Sequence, residues 1–228
     1  MKRTLLRAVG RVVCGCVILF GSAAGARAQA VRQPGLPLPA PEAGGAAGVE
    51  SGRGAISIRK VTGVNRRDRM MTPQYTTSVS RGSKPPREWG MVTVEYASQP
   101  EWLDEVTVNF YVLSMVSKNG RNVYSLYRKD VTYVDVKQDR LHVADVYLMP
   151  SALERFGPVA AVAVDISVKG ERVAQQSETA IRDTLPVDWW KSEKVVKSEA
   201  VTARDGYLLS RKESPFVFIN IDDYEAIK

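Results

Sequence analysis

Along the middle of this chain apolar residues recur at every second position, and that period admits strands and little else. Val92, Val94 and Tyr96 alternate with Thr93 and Glu95, which sorts the side chains onto the two faces of a pleated strand. Val106, Val108, Phe110 and Val112 share one face, and Thr107, Asn109, Tyr111 and Leu113 share the other. Both faces are largely apolar beyond Phe110, so this strand is expected at the centre of its sheet. Val162, Val164, Ile166 and Val168 repeat the pattern, with Ala161, Ala163 and Ser167 opposite.

The remaining segments complete an all-β reading. Ile56-Ser57-Ile58 opens a strand towards Val64, and a short strand is expected at Gln74–Val79. Lys118-Asn119-Gly120-Arg121 carries the Asn-Gly pair of a type I′ hairpin. Val123–Arg128 and Val131–Val136 then read as one long strand bent near Lys129-Asp130. In Leu141–Leu148 the apolar phase slips at Ala144-Asp145, which predicts a β-bulge. Pro150–Gly157 reads as a single short helix stopped by Gly157-Pro158. Lys169-Gly170 turns the chain into Glu171–Thr179. Short, closely spaced strands without crossover helices predict a β-sandwich over 55–184, with a small closed barrel as the alternative.

The N-terminus is an address rather than part of that fold. Lys2, Arg3, Arg7 and Arg11 precede an apolar run from Val12 to Phe20, and Ala26-Arg27-Ala28 supplies a cleavage signal before Gln29. The run is about half the ~20 residues needed to cross a bilayer. Residues 1–28 are therefore expected to be a cleaved signal peptide. Most of the apolar run follows Cys16, which argues against a lipidated cysteine, and the Pro-rich sequence after the cleavage site argues against a type IV prepilin. Residues 29–54, with Pro34, Pro37, Pro39, Pro41 and Ala/Gly-rich sequence, read as a linker.

Removing the signal changes the electrostatic and redox readings. The chain carries 32 Lys/Arg and 25 Asp/Glu, and the five basic residues of 1–28 reduce the former to 27, a net charge of +2. Nothing in that balance calls for nucleic acid. Cys14 and Cys16 leave with the signal, so neither a disulfide nor a thiolate metal site is expected.

Recognisable reactive motifs are missing from the sequence. His142, the single histidine, alternates with Leu141 and Val143 and is expected to point outward from a strand. Glu101, Asp104 and Glu105 cluster locally, as do Asp222, Asp223 and Glu225, which suits solvated loops better than a hydrolase cleft or a calcium loop. No cofactor or metal is expected. The extension 185–228 holds Trp189-Trp190 and the β-prone run Phe216-Val217-Phe218-Ile219-Asn220-Ile221. It is expected to pack on the sandwich through its aromatics, or to offer a strand to a neighbour and so build a homo-oligomer.

Three segments carry a family resemblance: Trp102–Leu113, Asp130–Val136 and Pro150–Gly157. Together they resemble the immunoglobulin-like, pilus-associated proteins encoded in the pilus gene clusters of Akkermansia and other Verrucomicrobia. The resemblance implies an immunoglobulin-like β-sandwich that is exported and associated with the outer membrane or cell surface. It implies a structural or assembly part without enzymatic activity, whose partners are other pilus-cluster or envelope proteins. Candidate contact residues are Trp102, Trp189, Trp190, Phe216, Phe218 and Ile219. The alternative reading is a secreted glycan-binding module that uses exposed tryptophans.

Overall fold

The computed structural model describes residues 54–74, 85–181, 185–221 and 224–228. These form two stacked β-sheets. The first sheet runs β1 (Ile56–Thr62), β3 (Glu88–Ser98), β6 (His142–Leu148) and β10 (Leu208–Ser210), with β2 (Arg69–Met71) also on β3. The second runs β11 (Ala226–Ile227), β5 (Arg121–Lys137), β4 (Trp102–Lys118), β7 (Val159–Val168) and β8 (Glu171–Thr179), with β9 (Val201–Ala203) also on β5. Every pairing is antiparallel except β5 with β9. The protein is an all-β sandwich, and the barrel alternative falls away.

The alternation read from the sequence fills the space between the sheets. Val92, Val94 and Tyr96 of one sheet meet Val106, Val108, Phe110, Val112, Val162, Val164 and Ile166 of the other, all fully buried. Asn119 and Gly120 both have positive φ, 52° and 73°, and link β4 to β5 as the Asn-Gly pair predicts. β5 is one 17-residue strand, paired with β4 along its length.

The helix α1 (Pro150–Phe156) packs Ala152 and Phe156 into the core. It stops at Gly157, where φ is 88° and the N–H donates to Leu153 O at 3.2 Å. A side chain at Gly157 would collide with the Met115 carbonyl oxygen and would hold a left-handed backbone. Gly157→Ala is therefore expected to destabilise the fold by about 2 kcal/mol, read as a shift in the urea midpoint at constant slope.

Two expectations about β6 are corrected. The pairing with β3 runs from Gly90↔Leu148 to Tyr96↔His142 without a register shift, so there is no bulge at Ala144-Asp145. His142, Ala144, Val146 and Leu148 face the core, and Asp145 and Tyr147 are buried on the opposite face. The apparent slip arose because both faces of β6 are covered and Leu141 lies outside the strand, half exposed. His142 accordingly points inward, not outward.

The bulges lie elsewhere. β1 skips Arg59 against β3, β7 skips Ala160 against β4, and β8 skips Val173 against β7. All but the first residue of the strand expected at Gln74–Val79, the signal peptide and all but the last residue of the linker lie outside the described residues.

Candidate functional site

The C-terminal extension wraps the sandwich on both outer faces. Trp189 and Trp190, 5.9 Å apart, pack with Leu113, Leu126, Ala161 and Ala163 on the outer face of the second sheet. The Trp190 indole N–H donates to Asp165 Oδ1 at 3.2 Å, and Arg172 Nη1 lies 3.7 Å from Oδ2, so both oxygens of this buried carboxylate are compensated. The helical turn α2 (Glu193–Val196) follows, and β9 then lies along β5. The Arg204 guanidinium sits 3.8 Å above the Phe156 ring.

From β10 onward the chain covers the outer face of the first sheet. Phe216, fully buried, stacks on Tyr147 at 4.5 Å and meets Trp89 edge-on at 5.6 Å. The run 216–221 is not a strand. Phe216 N–H donates to Ser214 Oγ, Ile219 N–H donates to Phe216 O at 3.1 Å, and Asn220 has φ 48°. These local bonds give the backbone partners that a sheet ladder would otherwise supply, and burying Phe216 between two rings fixes the turn. The strand expected over this run from its β-propensity is thereby corrected to a turn.

Behind Phe216 lies a buried polar cluster. Asp145 accepts from Tyr224 Oη at 2.5 Å and from Tyr147 Oη at 3.3 Å, and Arg211 Nη1 lies 3.5 Å from the same oxygen. The Arg211 guanidinium also stacks 3.4 Å over the Tyr224 ring. Burial pushes the Asp145 carboxyl above its usual range, against the lowering effect of Tyr224 and Arg211.

A turn of 3-10 helix at Arg211–Glu213 presents that arginine, and its capping contact is electrostatic. Glu213 accepts from Ser210 N–H and Oγ–H, both at 2.8 Å, and pairs with Lys129 at 2.6 Å. Partial burial works against ionisation of Glu213, but Lys129 and Ser210 outweigh it and hold its carboxyl down at about 2. A folded value below the ordinary one contributes stability above the ordinary range and loses it as pH falls through the folded value. Glu213→Gln is expected to flatten the acid limb of stability between ~4.5 and ~2, by less than 1 kcal/mol because the site is half in solvent. Urea midpoints measured against pH check this.

The last described residues stitch the two sheets together. Glu225 Oε1 lies 2.9 Å from His142 Nδ1, and His142 Nε2 lies 2.8 Å from Ser98 Oγ. Ala226 and Ile227 pair with β5, and Lys228 forms an ion pair with Glu105 of β4. The Ser98–His142–Glu225 order is that of a nucleophile–base–acid chain. Its serine, however, is buried and fixed by backbone: Ser98 Oγ accepts from Asp139 N–H at 3.1 Å and lies 3.2 Å from Lys137 O. The neighbouring Arg140 and Leu141 N–H groups donate to Asp139 Oδ1 rather than pointing at a place where an oxyanion could form. This arrangement clasps the tail to β3 and β6.

A family model matches residues 51–228. The chain belongs to the Akkermansia-type pilus-associated family. The crystal structure of a protein from Akkermansia muciniphila is similar with a TM-score of 0.61 at 23% identity, covering 76% of this chain and 92% of that one. At that identity the likeness speaks for the fold. No curated protein matches.

Within this family member the six candidate contact residues do not converge. Trp189 and Trp190 are buried and offer no face to a ligand. Phe216 is an internal anchor, and Ile219 is half-buried against the same cluster. Trp102 stands alone at the start of β4, 55% exposed, with Lys137 Nζ 5.9 Å from its ring. Phe218 is 73% exposed, and Ile221, which is not among the six, is 59% exposed. A cavity of about 380 Å³ opens beside them, walled by Val217, Ile221, Tyr224, Ala226 and Ile227. Only alternation with Phe216 and Phe218 could have flagged Val217 and Ile221. No helix among the described residues is long and apolar enough to cross a membrane.

Proposed function

We propose that this protein is an exported, non-enzymatic structural or assembly component of a pilus-like cell-surface system, acting by protein–protein contact from the periplasm, the outer membrane or the cell surface. One observation carries the reading beyond family membership. The segment 216–221 is pinned through Phe216 yet turns Phe218 and Ile221 into solvent. Holding large apolar side chains outward from a fixed backbone is what a contact patch requires. Its partners are other pilus-cluster or envelope proteins.

The test is co-fractionation of the exported chain with surface filaments from cells expressing it. A Phe218→Asp/Ile221→Asp double variant should lose association at least tenfold while keeping its melting temperature. Undiminished association would sink the contact reading. Ester hydrolysis abolished by Ser98→Ala in a still-folded protein would sink the non-enzymatic part.

The glycan reading retains Trp102 alone, whose exposed ring is the one feature that favours it. Saturable glycan binding lost in Trp102→Ala would replace the assembly reading.

A further inference from the structure

The outer edge of β5 is covered at two places and open between them. On one side β9 runs along Tyr124–Leu126, with Tyr124 N–H donating to Ala200 O and Arg204 N–H donating to Leu126 O at 2.9 Å. On the other side β11 pairs with Tyr133 and Val134, and Lys228 N–H donates to Thr132 O at 2.9 Å. Tyr124, Leu126 and Thr132 therefore direct backbone groups away from β4. In an antiparallel strand that direction returns every second residue, which places Arg128 and Asp130 in the same phase. Both are exposed. Their outward N–H and C=O groups meet no covering strand among the described residues.

A cavity of about 630 Å³ opens on this stretch, bounded by Lys129, Asp130, Thr132, Glu213 and Lys228. It shares Lys212 and Ile227 with the apolar cavity beside Ile221, so the two lie side by side along the tail. The other edges are treated differently. β1 and β8, the edge strands at the opposite side, lie against each other, and each carries a bulge that breaks regular pairing.

We infer that the open edge of β5 is a docking site for an extended segment of a partner protein. That segment adds as a strand at Arg128–Asp130 and seats one apolar side chain against Val217, Ile221, Ala226 and Ile227. The inference rests on the protein-contact reading and names its surface. Outward donor–acceptor pairs at two-residue spacing are matched by the backbone of another strand, which a helix or a lipid does not offer. The charges around the groove set the partner's chemistry. Lys129 pairs with Glu213, Arg211 with Asp145, Glu225 with His142 and Lys228 with Glu105. Arg128, which lies over the Tyr111 ring, Lys212 and Asp130 remain, a mixed set one positive charge from balance, so the segment that fits is largely apolar and carries no run of charge of either sign.

The probe is a capped hexapeptide of alternating valine and threonine with one central phenylalanine, titrated into the isotope-labelled chain and followed by NMR. Amide shifts are expected at Arg128, Asp130 and Lys228. N-methylation of alternate peptide amides, Asp130→Pro and Ile221→Asp should each weaken binding tenfold or more, with melting temperatures showing that both variants remain folded. Asp130→Pro removes only an outward N–H, which a sheet edge tolerates. Equal binding of the N-methylated peptide, or shifts confined to other edges, would overturn the site. Filament association without capture at β5 overturns the docking site alone. Capture without filament association overturns the assembly reading and leaves the site standing.

Discussion

Phe216→Ala is expected to destabilise the protein by about 3–5 kcal/mol, against a change within about 0.5 kcal/mol for Phe218→Ala. The two phenylalanines lie two residues apart in a run that looks uniform in sequence. Phe216 is fully buried between Tyr147 and Trp89, whereas Phe218 is 73% exposed. Removing the first ring opens a void beneath the tail, and the surrounding rings close it only partly. Urea denaturation of both variants checks the contrast, and equal midpoints would show that the tail does not pack as described. The same packing bears on truncation. From sequence, deleting 210–228 is expected to dissociate an oligomer and leave the sandwich folded. With Phe216, Arg211 and β11 all inside that deletion, the truncated chain is instead expected to lose cooperative folding.

Arg211→Ala is expected to cost a further large amount, about 3–5 kcal/mol, because it strands the Asp145 carboxylate in an almost fully buried site. Asp145→Asn in the same background should recover much of the loss, since the amide carries no charge to desolvate. The effect also depends on pH in a definite direction. The Asp145 carboxyl titrates above its ordinary value in the folded state. Its contribution to stability is fully present below the ordinary value and is lost as pH rises through the folded one. Without the guanidinium the folded value moves higher still. The deficit of Arg211→Ala should therefore be largest near neutrality and shrink as pH falls towards 4. Denaturation midpoints of the variant and parent at several pH values test this, and a deficit that grows on acidification would mean that Asp145 is not the buried charge responsible.

The strands were legible because their signal is local. The inward set Val106, Val108, Phe110 and Val112 is written at period two and is fully buried, and Asn119-Gly120 carries the positive φ angles its turn demands. β6 departs from its sequence pattern for an equally local reason. Apolar residues occur on both its faces, and the sequence does not say that the tail covers the second one. His142 illustrates the same gap. Its neighbours Leu141 and Val143 suggest an outward ring, but it faces the core between Ser98 and Glu225, residues 44 positions before and 83 after it.

The all-β class, the family and the places where the chain turns are legible in the residues alone, because alternation, Asn-Gly and Gly-Pro act over a few residues. Tertiary structure alone decided what the tail does: which of its aromatics are buried, that 216–221 is a turn rather than a strand, and that β5 keeps an open stretch between two covers. Those outcomes depend on pairings across tens of residues. There the burial of one ring or one charge outweighs local β-propensity, which spans only about 1 kcal/mol.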